Sequence, residues 1–310
     1  MKRVIQVYKG PQQWVNSPPG LGDFIRGACH LFEKVQNSGI ELFIDVSQTE
    51  FADLIEQDPS IFHVGEESRI ACAEEFFEDH TVLQNRLVSF QNSNETELYV
   101  CTNLGNWNRL TLPESTRKFI QKVYLFTDDV ERMMTQSLQK TDYEVLSLRC
   151  GDHFYTETTT SKVRNDIIKV IYSTIEQHVL PHAKFPVVVT SDCYELKCEI
   201  AKRYGMLMLP HQSQHGAFGN VLPVAIDMCM LKNSRFNYHI NSWATWWSGF
   251  SHYTSIIFNI PSMNFRAPHF TREEVTAEGL LITSEKSNQE NFASLSLVIN
   301  SGGSAQSDGI

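Results

Sequence analysis

Arg149, Gly151 and Asp152 follow the apolar run YEVLSL, and the pattern of an apolar run ending in polar residues recurs along the chain. FPVVVT leads to Ser191 and Asp192, RFNYHI leads to Asn241, Ser242 and Thr245, and RVIQVY at the start leads to Gly20, Gly22 and Asp23. An arginine at such a place offers a planar fork of donors that grips a phosphate bidentately. A surface pairing of Arg149 with Asp152 accounts for it equally. Glycines before a helix let a ligand approach the backbone, where the helix N-terminus favours anions, although a tight turn explains Gly20 and Gly22 as well. Asn241, Ser242 and Thr245 open the stretch NSWATWW, where hydroxyl, amide and backbone N–H groups can hold a diphosphate while Trp246 and Trp247 pack. An N-cap ahead of a Trp-rich core is the plainer reading of the same residues. Asp227 stands among Val224, Ala225, Ile226, Met228, Cys229 and Met230. A carboxylate in such surroundings needs a partner, either a neighbour such as Arg203 or the N–H groups of a ligand. His211 and His215 are four apart but lack the glutamate of His-Glu-x-x-His, so they read as loop histidines. The chain has no Asp-x-Asp, the hard-oxygen pair that commonly holds Mg²⁺ or Mn²⁺. These candidates point to an anionic ligand held by arginine and helix N-termini without a metal.

The elements needed to position these groups can be read from periodicity. Residues 3–8 read as a strand, 23–37 as a helix with Phe24, Ile25, Ala28, Leu31, Phe32 and Val35 on one face, and 41–46 as a second strand. Short helical pieces are expected at 51–56 and 128–140, with no order assigned between them. Strands follow at 143–149, 185–190, 206–209, 235–240 and 255–260. Helices are expected at 162–178, at 193–204 up to Gly205, from Pro223 to about Lys232, and over the Trp-rich stretch. Strands alternating with helices imply parallel sheets covered on both faces, with ligands outside the carboxyl ends of the strands. The ending SGGSAQSDGI has the composition of a disordered tail.

The chain has 310 residues, which exceeds the usual size of one domain and favours two. A net charge of -10 argues against a nucleic-acid partner but leaves room for a small anion held locally. No apolar run is long enough to span a bilayer, and MKRVIQVYKG reads as a first strand rather than a signal peptide. Cys29, Cys72, Cys101, Cys150, Cys193, Cys198 and Cys229 are odd in number and form no Cys-x-x-Cys. They read as reduced thiols of a cytosolic protein.

Three segments resemble the GT-B fucosyltransferase superfamily of α1,2-, core α1,6- and protein O-fucosyltransferases. GLGDFIRGACHLF (20–32) is similar to its amino-terminal glycine motif, LSLRCGD (146–152) to its His-x-Arg-Arg-x-Asp peptide, and NSWATWW (241–247) to its last donor-binding segment. Between them VVVTSDCYELKCEIAKRYG and LPVAIDMCMLKNSRFNYHI resemble its Ser-Asp-Asp unit and its guanine-reading helix. Ser147, Cys150, Cys193 and Ala244 replace the family's histidine, second arginine, second aspartate and phenylalanine. The resemblance implies an α/β GT-B fold with two Rossmann-like domains facing a cleft. Residues 1–140 would form the acceptor side, 141–275 the donor side, and 276–310 a carboxyl-terminal segment. It also implies an inverting, metal-independent transfer of fucose from GDP-fucose to a glycan, with no cofactor. No membrane anchor or stem is read ahead of the domain, unlike the family's Golgi members, so a bacterial or viral enzyme of the cytoplasm is expected. Arg149 would grip the diphosphate, with Gly20, Gly22, Asp23, Ser191, Asp192, Asn241, Ser242 and Thr245 around the donor and Asp227 on guanine. Asp152, or Glu157 five residues later at the spacing of the core α1,6 enzymes' glutamate, would serve as base. Another nucleotide sugar as donor, or a binding protein without catalysis, are the alternatives.

Overall fold

The computed structural model describes residues 1–8, 20–63, 76–77, 79–106, 109–138, 142–150, 161–211, 221–241, 248–266, 271–275, 281–284 and 296–297. The first half carries a parallel sheet in the order β2-β1-β4-β3, built from β1 (Lys2–Val7), β2 (Ile40–Asp45), β3 (Phe76–Phe77) and β4 (Glu97–Thr102). Helix α1 (Leu21–Val35) links β1 to β2, and α2 (His80–Asn92) links β3 to β4. The chain runs from β1 to β2 on one side and returns to β4 on the other, so the crevice after β1 and β4 is a topological switch point.

Helices α3 (Glu114–Gln121) and α4 (Asp128–Leu138) lead into the second sheet, ordered β12-β11-β10-β9-β8-β5-β6-β7. Its parallel part comprises β5 (Glu144–Arg149), β6 (Val187–Ser191), β7 (Leu207–Met208), β8 (Asn237–Asn241) and β9 (Ser262–Arg266). From β5 the chain moves outward to β6 and β7, then crosses to β8 and β9. Strand β5 is therefore the switch point of this sheet, and it is buried along its length except at Arg149. Helices α5 (Ser161–Thr174), α6 (Tyr194–Tyr204), α7 (Leu222–Lys232) and α8 (Ser251–Phe258) make the crossovers. Gly205, at φ 65, ends α6 in the left-handed conformation glycine adopts without cost, and a proline opens the first turn of α7, both as the sequence requires.

Two expectations are corrected. Residues 255–260 do not form a strand: Ser251–Phe258 is helix α8, ended by Asn259 in a left-handed cap at φ 54, and the strand follows at Ser262–Arg266. A short segment buried on every side has no polar period to separate helix from strand, and in α8 residues 251–257 are all buried, the polar Ser251, His252, Thr254 and Ser255 included. The second sheet is also not parallel throughout. Strands β10 (Thr271–Val275), β11 (Leu281–Ser284) and β12 (Ser296–Leu297) extend it from β9 in antiparallel fashion. The expected Trp-rich helix at 242–247 and the tail at 301–310 lie outside the described residues.

The largest apolar core is shared by both sheets. Ile44, Phe24 and Tyr124 from the first half join Val145, Val188, Met228 and Tyr253 from the second in one buried cluster. Helix α8 stitches the halves with polar contacts as well. His252 Nε2 donates to the Arg109 carbonyl (2.7 Å), and Tyr253 Oη to the Asn106 carbonyl (2.8 Å). Gln121 Nε2 donates to the Ile257 carbonyl (2.8 Å), and Tyr124 and Thr254 share a hydroxyl contact at 3.1 Å.

Candidate functional site

The ends of β5, β6 and β8 bring together residues that are far apart in sequence. Leu148 is in register with Ser191, Arg149 with Asn241, and Asn241 with Arg266 on β9. Arg149 Nη1 donates to Asp192 Oδ2 at 3.3 Å, while the other carboxylate oxygen accepts from the Cys150 backbone N–H at 2.7 Å. Asp192 is thus pinned at the strand end and holds the guanidinium over the carboxyl edge of the sheet. The Arg149 side chain keeps 37% of its surface exposed and Asp192 only 9%, so the fork faces outward from a buried anchor.

Asn241 differs from its neighbours. Its side chain is buried at 1% exposure, and neither its amide nitrogen nor its amide oxygen makes a hydrogen bond among the described residues. Buried amide groups are rarely left this way, because the loss of hydration goes uncompensated. Ser191 Oγ accepts from the N–H of Cys193, the residue that precedes α6, at 3.0 Å. Cys150 supplies no charge in place of an arginine. The adjoining Cys193 thiol, burial and the Asp192 carboxylate push its thiol well above the ordinary range, so it stays protonated. None of the six described cysteines is in a disulfide among the described residues.

Asp227 is 2% exposed and both its oxygens are engaged. Thr190 Oγ1 donates to Oδ2 at 2.6 Å and His211 Nε2 to Oδ1 at 2.8 Å. Its neighbour is therefore not Arg203, which pairs at the surface with Glu176 at 3.4 Å. Lys197, 1% exposed, donates to the His211 carbonyl at 2.7 Å. Burial pulls the Lys197 pKa down and the Asp227 carboxylate opposes that. Sequence reading missed Thr190, Lys197 and His211. The signal for His211 was its place just past β7, at the same edge as the other candidates.

At the mouth of the first half, Gly20 precedes α1 in an extended conformation. Gly22 is a packing position: a methyl there would lie 2.4 Å from the Phe250 backbone nitrogen. Asp23 accepts from Arg26 Nη1 at 2.9 Å, and Gly249 lies against this pair. The glycine-rich turn is thus butted against the segment that follows Ser242 and Thr245. Those two residues, with Asp152 and Glu157, lie outside the described residues. Among the described residues no group of three or more His, Cys, Asp or Glu side chains is placed to hold a metal ion, and no helix is long and apolar enough to cross a membrane.

Neither a protein-family model nor a curated protein matches this sequence. Solved structures do match in shape. The fucosyltransferase NodZ from Bradyrhizobium superposes with a TM-score of 0.54 at 13% identity, over 86% of this chain and 96% of that one. NodZ α-1,6-fucosyltransferase co-crystallised with GDP gives 0.53 at 13% identity over the same share of each chain. A variant of Arabidopsis thaliana FUT1 in complex with GDP gives 0.56 at 13% identity, over 86% of this chain and 70% of that one. The likeness is one of architecture, two α/β halves, and the fold of this chain is the GT-B fold of these fucosyltransferase structures.

Proposed function

We propose that the chain is a glycosyltransferase that transfers fucose from GDP-fucose to a glycan, with inversion, without a metal and in the cytoplasm. The observation that carries this reading is the carboxyl edge of the second sheet. There Arg149, braced by Asp192, stands in register beside the buried amide of Asn241, which has no hydrogen-bond partner among the described residues, in a fold shared with structures solved with GDP. A guanidinium carries five N–H donors, more than the Asp192 contact uses. Held in place beforehand, it meets the charge that grows on the diphosphate as the sugar departs, with no reorganisation at that moment. Asn241, with one donating and one accepting group, suits a phosphate or ribose oxygen. Ser242 and Thr245 complete the donor contacts in this reading, with Gly20 and Asp23 across from them.

Nucleotide release tests it. With GDP-fucose, GDP-mannose and UDP-linked sugars offered in turn, release is expected from GDP-fucose and to persist in excess EDTA. Release from a UDP-sugar alone moves the chain to another donor, release that needs Mn²⁺ ends the metal-free mechanism, and no release from any donor leaves a binding protein.

The acceptor hydroxyl needs a proton acceptor, and Asp152 and Glu157 follow Arg149 closely enough in sequence to supply it. Removing the base is expected to slow turnover roughly a hundredfold, the low end for a positioned carboxylate. Glu157→Gln and Asp152→Asn, compared by initial rates at saturating donor, assign the role. Rates unchanged in both variants remove both candidates.

For the nucleotide base, guanine presents two adjacent donors that one carboxylate accepts together, whereas uracil presents one N–H between carbonyls. Asp227, already fixed by Thr190 and His211, is the proposed reader. GDP is expected to bind more tightly than UDP, and Asp227→Ala to narrow the gap by roughly 2–3 kcal/mol, the size of a charge-assisted pair of hydrogen bonds. Calorimetric titration of both nucleotides measures this. A lowered melting temperature with the gap intact means that Asp227 only braces its two partners.

A further inference from the structure

A cavity of about 380 Å³ opens where the first half meets α8, lined by Arg26, His30, His80, Asn106, Arg109 and Tyr253 among others. That volume is at the small end of ligand sites, which span about 300–1,000 Å³. Its walls come from α1, the start of α2, the segment after β4, and α8. It therefore lies at the switch point of the first sheet, where open parallel sheets take ligands.

The lining is one-sided in charge. Two arginines and two histidines line the cavity, and no Asp or Glu is among the described residues that line it. The described lining is thus rich in basic side chains in a protein that carries -10 overall. Both arginines are paired with carboxylates that are not among the described lining residues. Arg26, 1% exposed, donates to Asp23 at 2.9 Å and to the Asn103 carbonyl at 2.8 Å. Arg109 donates through Nη1 to Glu33 at 2.7 Å and through Nε to the Thr111 carbonyl at 2.6 Å. Both forks are held rigidly. His30 Nε2 and His80 Nδ1 approach to 3.3 Å, so the two rings share one hydrogen between them.

We propose that this cavity is an acceptor subsite for an anionic sugar, one bearing a carboxylate or a sulfate, recognised by Arg109 and the His30–His80 pair. The inference rests on the glycosyltransferase reading for the word acceptor; the preference for an anion rests on the cavity alone. Among the described residues, the groups that act on His30 are His80 from α2, Lys34 on its own helix and Arg109 from the segment after β4, and Arg26, Cys29 and, from α8, Tyr253 line the same cavity. Burial, then His80, Lys34 and Arg109, hold the His30 pKa down from 6.5 to about 4, so its ring is neutral near pH 7. A bound anion stabilises the imidazolium and raises that pKa. Binding then takes up a proton, and affinity grows as pH falls from 6.5 toward 4.

The test titrates the full chain with methyl β-glucuronide, methyl β-galactoside 6-sulfate and methyl β-glucoside, following the imidazole C–H resonances, with GDP titrated in parallel. At least one anionic sugar is expected to bind about tenfold or more tightly than the glucoside, with the preference widening several-fold from pH 7.5 to pH 5.5. His80→Gln, at an exposed position, and Arg109→Gln should each cut the preference to below about threefold while GDP affinity stays within twofold. No preference for either anion, or a preference that survives both substitutions, overturns the inference. If GDP fails to bind while the preference holds, the donor reading falls and the anion site stands. If GDP binds and the preference is missing, only the present inference falls.

Discussion

Arg149→Lys is expected to lower turnover with the preferred donor by roughly 10²–10³, equivalent to about 3–4 kcal/mol at the barrier. Lysine keeps the charge but presents it as a point on a flexible stem. It cannot span Asp192 and a diphosphate at once, which the proposed reading asks of the outward-facing fork at the end of β5. Most of the loss should appear in kcat, because the interaction strengthens as the leaving group gains charge. Single-turnover nucleotide release in the wild type and variant measures it. A lysine variant at the wild-type rate removes Arg149 from the chemistry and leaves its pairing with Asp192 as a structural one.

The second large effect is on stability. A methyl group at Gly27 would lie 2.0 Å from the Thr102 carbonyl oxygen and 2.8 Å from its carbon, at the end of β4. Both are backbone atoms of a buried strand end, and Gln6 Nε2, which bonds the same carbonyl, crowds the third side at 2.9 Å. Relief requires α1 to lift off the sheet. Gly27→Ala is therefore expected to destabilise by about 3 kcal/mol or more, lowering the melting temperature by roughly 6–12 °C. Gly20→Ala is the control, since its added methyl meets only Asp23 Oδ2 at 4.0 Å. Equal melting temperatures for the two variants would show that α1 does not pack on β4 as closely as described.

The second half was largely legible because its strands end where polarity changes abruptly. YEVLSL to Arg149, FPVVVT to Ser191 and RFNYHI to Asn241 each stop at the sheet's carboxyl edge, and the register then sets Arg149 beside Asn241. Helix α8 was misread because it is buried on every side, its polar residues included. In the first half, β4 and α2 went unassigned even though Leu83, Leu87 and Phe90 mark one helical face. The pair-level chemistry was the least accessible. Nothing local in sequence joins His211 to Asp227, or His30 to His80 fifty residues away, since those meetings depend on helix placement across a sheet.

The shared interior has a consequence for how the molecule comes apart. Tyr124 and Phe24 from the first half and Tyr253 and Met228 from the second belong to the largest buried cluster, while the core that each half keeps to itself, around Leu31 and Phe90 in the first and Leu146 and Ile240 in the second, is smaller. Heat then separates the two sheets and melts them in one cooperative step, because opening the seam exposes the apolar face on which each half depends. A fragment cut between α4 and β5 would carry that face into water, and the truncated chain would behave as an aggregating piece rather than an independent domain.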